Sequence, residues 1–116
     1  NILVIDGQGG MLGKQIVEAV RKILPRDEIT AVGTNISATA SMLKAGADNG
    51  ATGENAVIVC SRTADIIVGP VGIAIADSLL GEITPAMAQA VGQSRAKKGL
   101  IPVNKCNNII VGVSDS

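Results

Sequence analysis

The chain has 116 residues, with ten basic and ten acidic side chains, 47% hydrophobic and 17% charged residues, and no Phe, Tyr, Trp or His. A histidine base, a tyrosine acid and a His-rich metal site are therefore excluded, as is base stacking on aromatic rings. Zero net charge gives no global attraction to nucleic acid or anionic lipid. Such a length fits a single domain, residues 1–116. The longest apolar stretch, Ile66 to Ala76, is eleven residues and is broken by Gly69, Pro70 and Gly72. That is short of the ~18–20 residues of a membrane helix, so no membrane span is expected. The first apolar run stops at Asp6, short of a signal-peptide core. A cytoplasmic protein is the expectation.

In chain order, Ile2-Leu3-Val4-Ile5 reads as a strand buried on both faces of a parallel sheet. Leu12, Ile16, Val17, Val20, Ile23 and Leu24 recur at helical spacing opposite Lys14, Gln15, Glu18, Arg21 and Lys22, and this amphipathic helix stops before Pro25. Ile29 to Gly33 is a second strand, so the first third of the chain is a right-handed βαβ unit. A helix follows over Ser37–Ala45, and Asn49–Gly53 reads as irregular.

Glu54–Arg62 fits a helix or, through Ala56–Cys60, a strand; the short gap to the better strand at Asp65–Gly69 favours the helix. Thr84 and Pro85 start a further helix as cap and first residue, and Arg95, Lys97 and Lys98 before Gly99 suit its C-terminal end. Leu100–Val103 and Asn108–Val113 are the last strands, Pro102 favouring a sheet edge. Strands and helices alternating in this way predict a three-layer α/β/α Rossmann-like sandwich around a mostly parallel sheet.

The most specific motif lies between the first strand and the first helix: Gly7, Gln8, Gly9, Gly10, Met11, Leu12 and Gly13, following Asp6. Glycines at Gly7, Gly10 and Gly13 make G-x-x-G-x-x-G in the strand–turn–helix context where glycine permits a tight turn, approach of backbone to phosphate and close helix packing. The helix N-terminus beyond offers N–H groups to an anion. The competing explanation is a turn whose glycines serve packing alone; the context favours the phosphate cradle.

At the end of the second strand an Asp or Glu would bind the ribose diol of NAD. The chain has Gly33-Thr34-Asn35 there, and Asp27 and Glu28 precede the strand. Thr34, Asn35 and Ser37 could hold a 2′-phosphate, although ordinary turn and cap chemistry explains them equally well. NADP stands narrowly ahead of NAD as the expected cofactor. At the other strand ends, Gly69, Pro70, Val71 and Gly72, together with Asn104, should rise beside the glycine-rich turn, where ligands of open α/β sheets collect.

Residues Asn1–Gly10, Ala31–Asn35, Ala45–Asp48, Gly69-Pro70, Asp77–Pro85 and Asn107–Gly112 resemble a family of small bacterial proteins described as a domain of unknown function. The resemblance runs along nearly the whole chain and implies no activity. The first 35 residues are more loosely similar to atypical short-chain dehydrogenases, a match confined to Gly7, Gly10 and Gly13; the tyrosine of that family has no counterpart here.

Other chemistry is weaker. Cys106, beside Lys105, could be an activated thiol but reads better as structural; Cys60 reads as core. Asp6 could orient the glycine turn, contact ligand hydroxyls or simply cap a turn, the last being the commonest role. Asp77, Ser78 and Glu82 are indistinguishable from solvated loop residues. Three functions follow. The first is a nucleotide-binding sensor or carrier module; the second is a small oxidoreductase or transferase, an S-adenosylmethionine enzyme included, completed by homodimerisation. The third is an interaction protein with an empty cleft. The short, apolar chain and its open sheet edges favour a homodimer. Gly10→Val is expected to abolish ligand binding while sparing the fold.

Overall fold

Ile2, Leu3, Val4 and Ile5 are each at most 2% exposed, because their strand runs through the middle of a sheet covered on both faces. The computed structural model describes residues 1–103. In chain order its elements are β1 (Ile2–Asp6), α1 (Met11–Ile23), β2 (Ile29–Gly33), α2 (Ile36–Lys44), β3 (Asn49–Thr52), α3 (Glu54–Thr63), β4 (Ile66–Pro70), a 3-10 turn (Val71–Ala74), α4 (Pro85–Gln93) and β5 (Lys97–Ile101). The five strands are all parallel in the order β3-β2-β1-β4-β5. The expected three-layer α/β/α sandwich is the observed architecture, and Glu54–Thr63 is helical.

Side chains of β1 alternate between two cores. Ile2 and Val4 face Ile16 and Val17 of α1 and Ala38 and Met42 of α2. Leu3 and Ile5 face Val57 of α3, Met87 and Val91 of α4, and Ile73 and Ile83 from the connection between β4 and α4. With no aromatic ring available, both cores are aliphatic; each fully buried Val, Leu or Ile stabilises by about 1.5–3 kcal/mol. The chain reverses direction across the sheet between β1 and β4, whose ends diverge into α1 and the 3-10 turn. That divergence opens a crevice above the carboxyl ends of the strands.

Three boundaries differ from expectation. Asn49–Thr52, read as irregular, forms the edge strand β3 and pairs with β2 from Thr30↔Asn49 to Gly33↔Thr52; backbone pairing at a solvated edge needs no apolar side chains. The helix expected to reach Lys98 ends at Gln93. There the Ser94 hydroxyl donates to Ser61 O (2.7 Å) and accepts from Ala96 N (3.1 Å), which turns the chain into β5. Lys97 and Lys98 consequently sit exposed in β5, the last in order among the described strands, which starts earlier than the expected Leu100. The expected strand Asn108–Val113, with Asn104 and Cys106, lies outside the described residues. No helix of the described residues is long and apolar enough to cross a membrane.

Candidate functional site

β1 ends in Asp6, whose carboxylate is buried at 5% exposure and clasps both ends of the glycine-rich turn. One oxygen accepts the Gly7 N–H (2.8 Å) and the other the Gly13 N–H (2.7 Å). Burial pushes the Asp6 pKa up; the two backbone hydrogen bonds oppose that shift, and the nearby Glu82 charge reinforces it. Gly10 N–H closes the turn on Gly7 O at 2.9 Å.

Each glycine of the G-x-x-G-x-x-G pattern meets a neighbour. A Cβ on Gly7 would lie 2.5 Å from Glu82 Oε1 and 2.6 Å from Thr34 Oγ1. On Gly10, in the left-handed region at φ 74°, it would lie 2.8 Å from Ala38 Cα, and on Gly13 2.6 Å from Met42 Sδ. Gly9 differs, since its Cβ would meet nothing closer than Met11 Cγ at 3.9 Å.

Helix α1 starts from Gly10 with no side-chain cap and no acidic residue in its first turn. Among the described residues, nothing accepts the N–H groups of Gly9, Met11 or Leu12. All three residues line a cleft of about 600 Å³, together with Asp6, Gly7, Gln8, Gly10, Gln15, Pro70, Val71, Gly72, Leu79 and Val103. Its volume lies within the ~300–1,000 Å³ range of small-molecule sites. A second, more open depression of about 540 Å³ runs between α3 and α4 past Arg62, Gln89 and Arg95. It flanks the sheet, away from the carboxyl ends of the strands.

The cleft thus gathers Gly7, Gln8, Gly9, Gly10, Met11, Leu12 and Pro70 of the expected site. Gly13 faces Met42 in the α1–α2 interface, and Gly69 packs against the Ile5 carbonyl of β1 and Ile73 Cδ1. Thr34 and Asn35 lie at the end of β2, on the other side of the turn. Asn35 caps α2 by accepting Ala38 N–H at 2.8 Å, and its Nδ2 donates to Gln8 O at 2.9 Å.

The residue that sequence reasoning passed over is Glu82. Its Oε1 accepts from Gln8 N (2.6 Å) and Thr34 Oγ1 (2.8 Å), and its Oε2 from Asn35 Nδ2 (3.1 Å). Desolvation pushes its pKa up, but hydrogen bonds from Gln8, Thr34 and Asn35 outweigh it and hold the carboxyl below its ordinary range. No local signal marks a glutamate 74 positions from its backbone partner. Ser78, read with it as indistinguishable from a solvated loop residue, donates its hydroxyl to Gly72 O and fastens that loop. Among the described residues, no group of three or more Cys, Asp and Glu side chains is placed to hold a metal ion.

Chemically the arrangement is a donor-rich rim over a partly apolar floor, suited to an anionic group on an organic body. Asp6 is the one carboxylate among the described lining residues, and both its oxygens are committed to the turn. No curated protein and no solved structure gives a significant match to the chain. A family model does match, over residues 1–116, and the chain accordingly belongs to the family described as Domain of unknown function (DUF3842).

Proposed function

We propose that the protein binds a phosphate-bearing nucleotide, of the dinucleotide class NAD or NADP, at the turn between β1 and α1, and holds it as a sensor or carrier module. The observation that carries this reading is the trio of N–H groups on Gly9, Met11 and Leu12, which no described residue accepts and whose residues line the cleft at the N-terminus of a 13-residue helix. Such groups, with the helix dipole behind them, favour an anion. The position between β1 and β4, where strand order diverges, is where open α/β sheets take ligands. A binding role is preferred to a reaction because the lining carboxylate, Asp6, is occupied in shaping the turn.

Isothermal titration with NAD, NADP, S-adenosylmethionine and ATP tests the reading. Saturable binding of a nucleotide, lost in Gly9→Val, is the expected outcome. One observation favours a second reading, an interaction protein whose turn binds nothing: Gly7, Gly10 and Gly13 each have a packing reason to be glycine. Absence of heat with all four ligands would support it. The proposal includes a homodimer, which a sedimentation mass of one chain at micromolar concentration would remove.

A further inference from the structure

The end of β2 offers Gly33, Thr34 and Asn35, with no carboxylate of its own. The fold delivers one from the connection between β4 and α4. This connection passes over Gly7 and sets Glu82 against Gln8 N, Thr34 Oγ1 and Asn35 Nδ2. We infer that Glu82 is the acceptor for a nucleotide ribose and that it selects ligands with a free 2′-hydroxyl, NAD over NADP. The inference rests on the nucleotide-binding reading and reverses the cofactor preference that Thr34 and Asn35 suggest by themselves.

The geometry supports this in four ways. First, a carboxylate has about four acceptor positions, and protein donors fill three of them, two on Oε1 and one on Oε2. Oε2 keeps room for a hydroxyl, and the Glu82 side chain is partly exposed. Second, no described Lys or Arg pairs with Glu82. A 2′-phosphate would bring two anionic groups together with no counterion among the described residues, whereas a hydroxyl donates to the carboxylate.

Third, the carboxylate is held in place. Its loop runs through left-handed backbone at Asp77 (φ 67°), Leu79 (φ 55°), Leu80 (φ 56°) and Gly81 (φ 89°). The loop is pinned by Asp77 N–H on Ile83 O at 2.7 Å and by Ser78 on Gly72 O. Left-handed non-glycine residues persist where surrounding structure enforces them. Fourth, two large aliphatic side chains remain uncovered beside residues of this cluster, one near Glu82 in sequence and one next to its partner Asn35. Leu80 is 97% exposed, two residues before Glu82, and Ile36 is 78% exposed, next to Asn35. Such apolar surface suits the faces of a base in a chain without aromatic rings.

A dinucleotide would then lie across the turn. Its diphosphate would meet the N–H groups of Gly9, Met11 and Leu12, with one nucleoside in the cleft and the other beside Glu82.

The test is calorimetric titration of the wild-type protein and of Glu82→Gln with NAD and with NADP, each variant first checked for a cooperative thermal transition. As a probe that needs no mutant, ATP is compared with 2′-deoxy-ATP on the wild type. The inference expects wild type to bind NAD more tightly than NADP and ATP more tightly than its 2′-deoxy form. Glu82→Gln should weaken NAD about tenfold, the scale of one hydrogen bond to a charged group, and bring NADP to parity. Equal wild-type affinity for NAD and NADP overturns the inference and leaves nucleotide binding intact. So does an unchanged NAD-to-NADP ratio in Glu82→Gln, or tighter binding of both ligands, which would make the carboxylate a plug. Failure of wild type to bind any of the four nucleotides removes the nucleotide reading itself, and this inference with it.

Discussion

Gly10 packs against Ala38 so closely that a Cβ on the glycine would lie 2.8 Å from the alanine Cα. The neighbour is backbone of α2 and has no rotamer through which to yield. The left-handed φ of 74° adds strain for any L side chain. Gly10→Ala should therefore destabilise the fold by about 2–4 kcal/mol, combining overpacking with backbone strain. Urea unfolding followed by far-UV circular dichroism measures it. Gly10→Val, expected from sequence to spare the fold, would be more damaging still, because one residue closes the turn and seats two helices.

Gly9 separates binding from packing. Its Cβ would meet nothing nearer than Met11 Cγ at 3.9 Å, and the residue is exposed at the cleft. Gly9→Val should leave the urea midpoint within the equivalent of about 0.5 kcal/mol of wild type, as for surface substitutions generally. The isopropyl group would stand over the N–H groups proposed to hold phosphate, so nucleotide heat should disappear in titration. A Gly9→Val protein that is folded and binds unchanged would show that the ligand sits elsewhere.

Why the strands and the turn could be read in advance, and Glu82 could not, has a physical basis. The β1 residues Ile2–Ile5 are buried on both faces, and a doubly buried parallel strand must be continuously apolar, so it announces itself. The amphipathic stripe of α1 and the Thr84-Pro85 start of α4 are likewise local. β3 is not, because Asn49-Gly50-Ala51-Thr52 owes its conformation to pairing with β2 at a solvated edge. Lys97 and Lys98 mislead for a related reason: two lysines suit a helix end and a charged sheet edge alike. The glycine motif was visible, but its cause was not. Whether Gly7 makes room for phosphate or for a carboxylate depends on Glu82 and Thr34, which reach it only through the fold.

Ile73 anchors the wall of the cleft. It is fully buried in the 3-10 turn after β4, and a Cβ on Gly69 would lie 2.9 Å from its Cδ1. Pro70, Val71 and Gly72, which precede it, line the cleft. Ile73→Ala should cost about 2–5 kcal/mol through lost burial and a residual cavity. It should also speed amide hydrogen exchange in the segment from Val71 to Ile83 more than in β1. Uniform exchange across both regions would mean that the wall is held by the Ser78 and Asp77 hydrogen bonds instead.

The two carboxylates of the turn should give opposite pH signatures. Glu82 is held below its ordinary value of 4.5, so folding favours its ionised form. Its contribution to stability is complete above pH 4.5 and is lost as pH falls through the depressed pKa. Asp6, desolvated and raised above its ordinary 3.8, does the reverse. Its contribution is greatest below pH 3.8 and is lost as pH rises through the raised value. Stability measured by urea between about pH 3 and pH 6 should therefore separate Glu82→Gln from Asp6→Asn. The deficit of Glu82→Gln relative to wild type should grow as pH rises across that window. The deficit of Asp6→Asn should shrink over the same interval, from whatever offset its lost hydrogen bonds impose. A Glu82→Gln deficit that does not grow with pH would mean that Glu82 is not clasped by Gln8, Thr34 and Asn35 in solution, and the placement of the carboxylate over the glycine turn would fail with it.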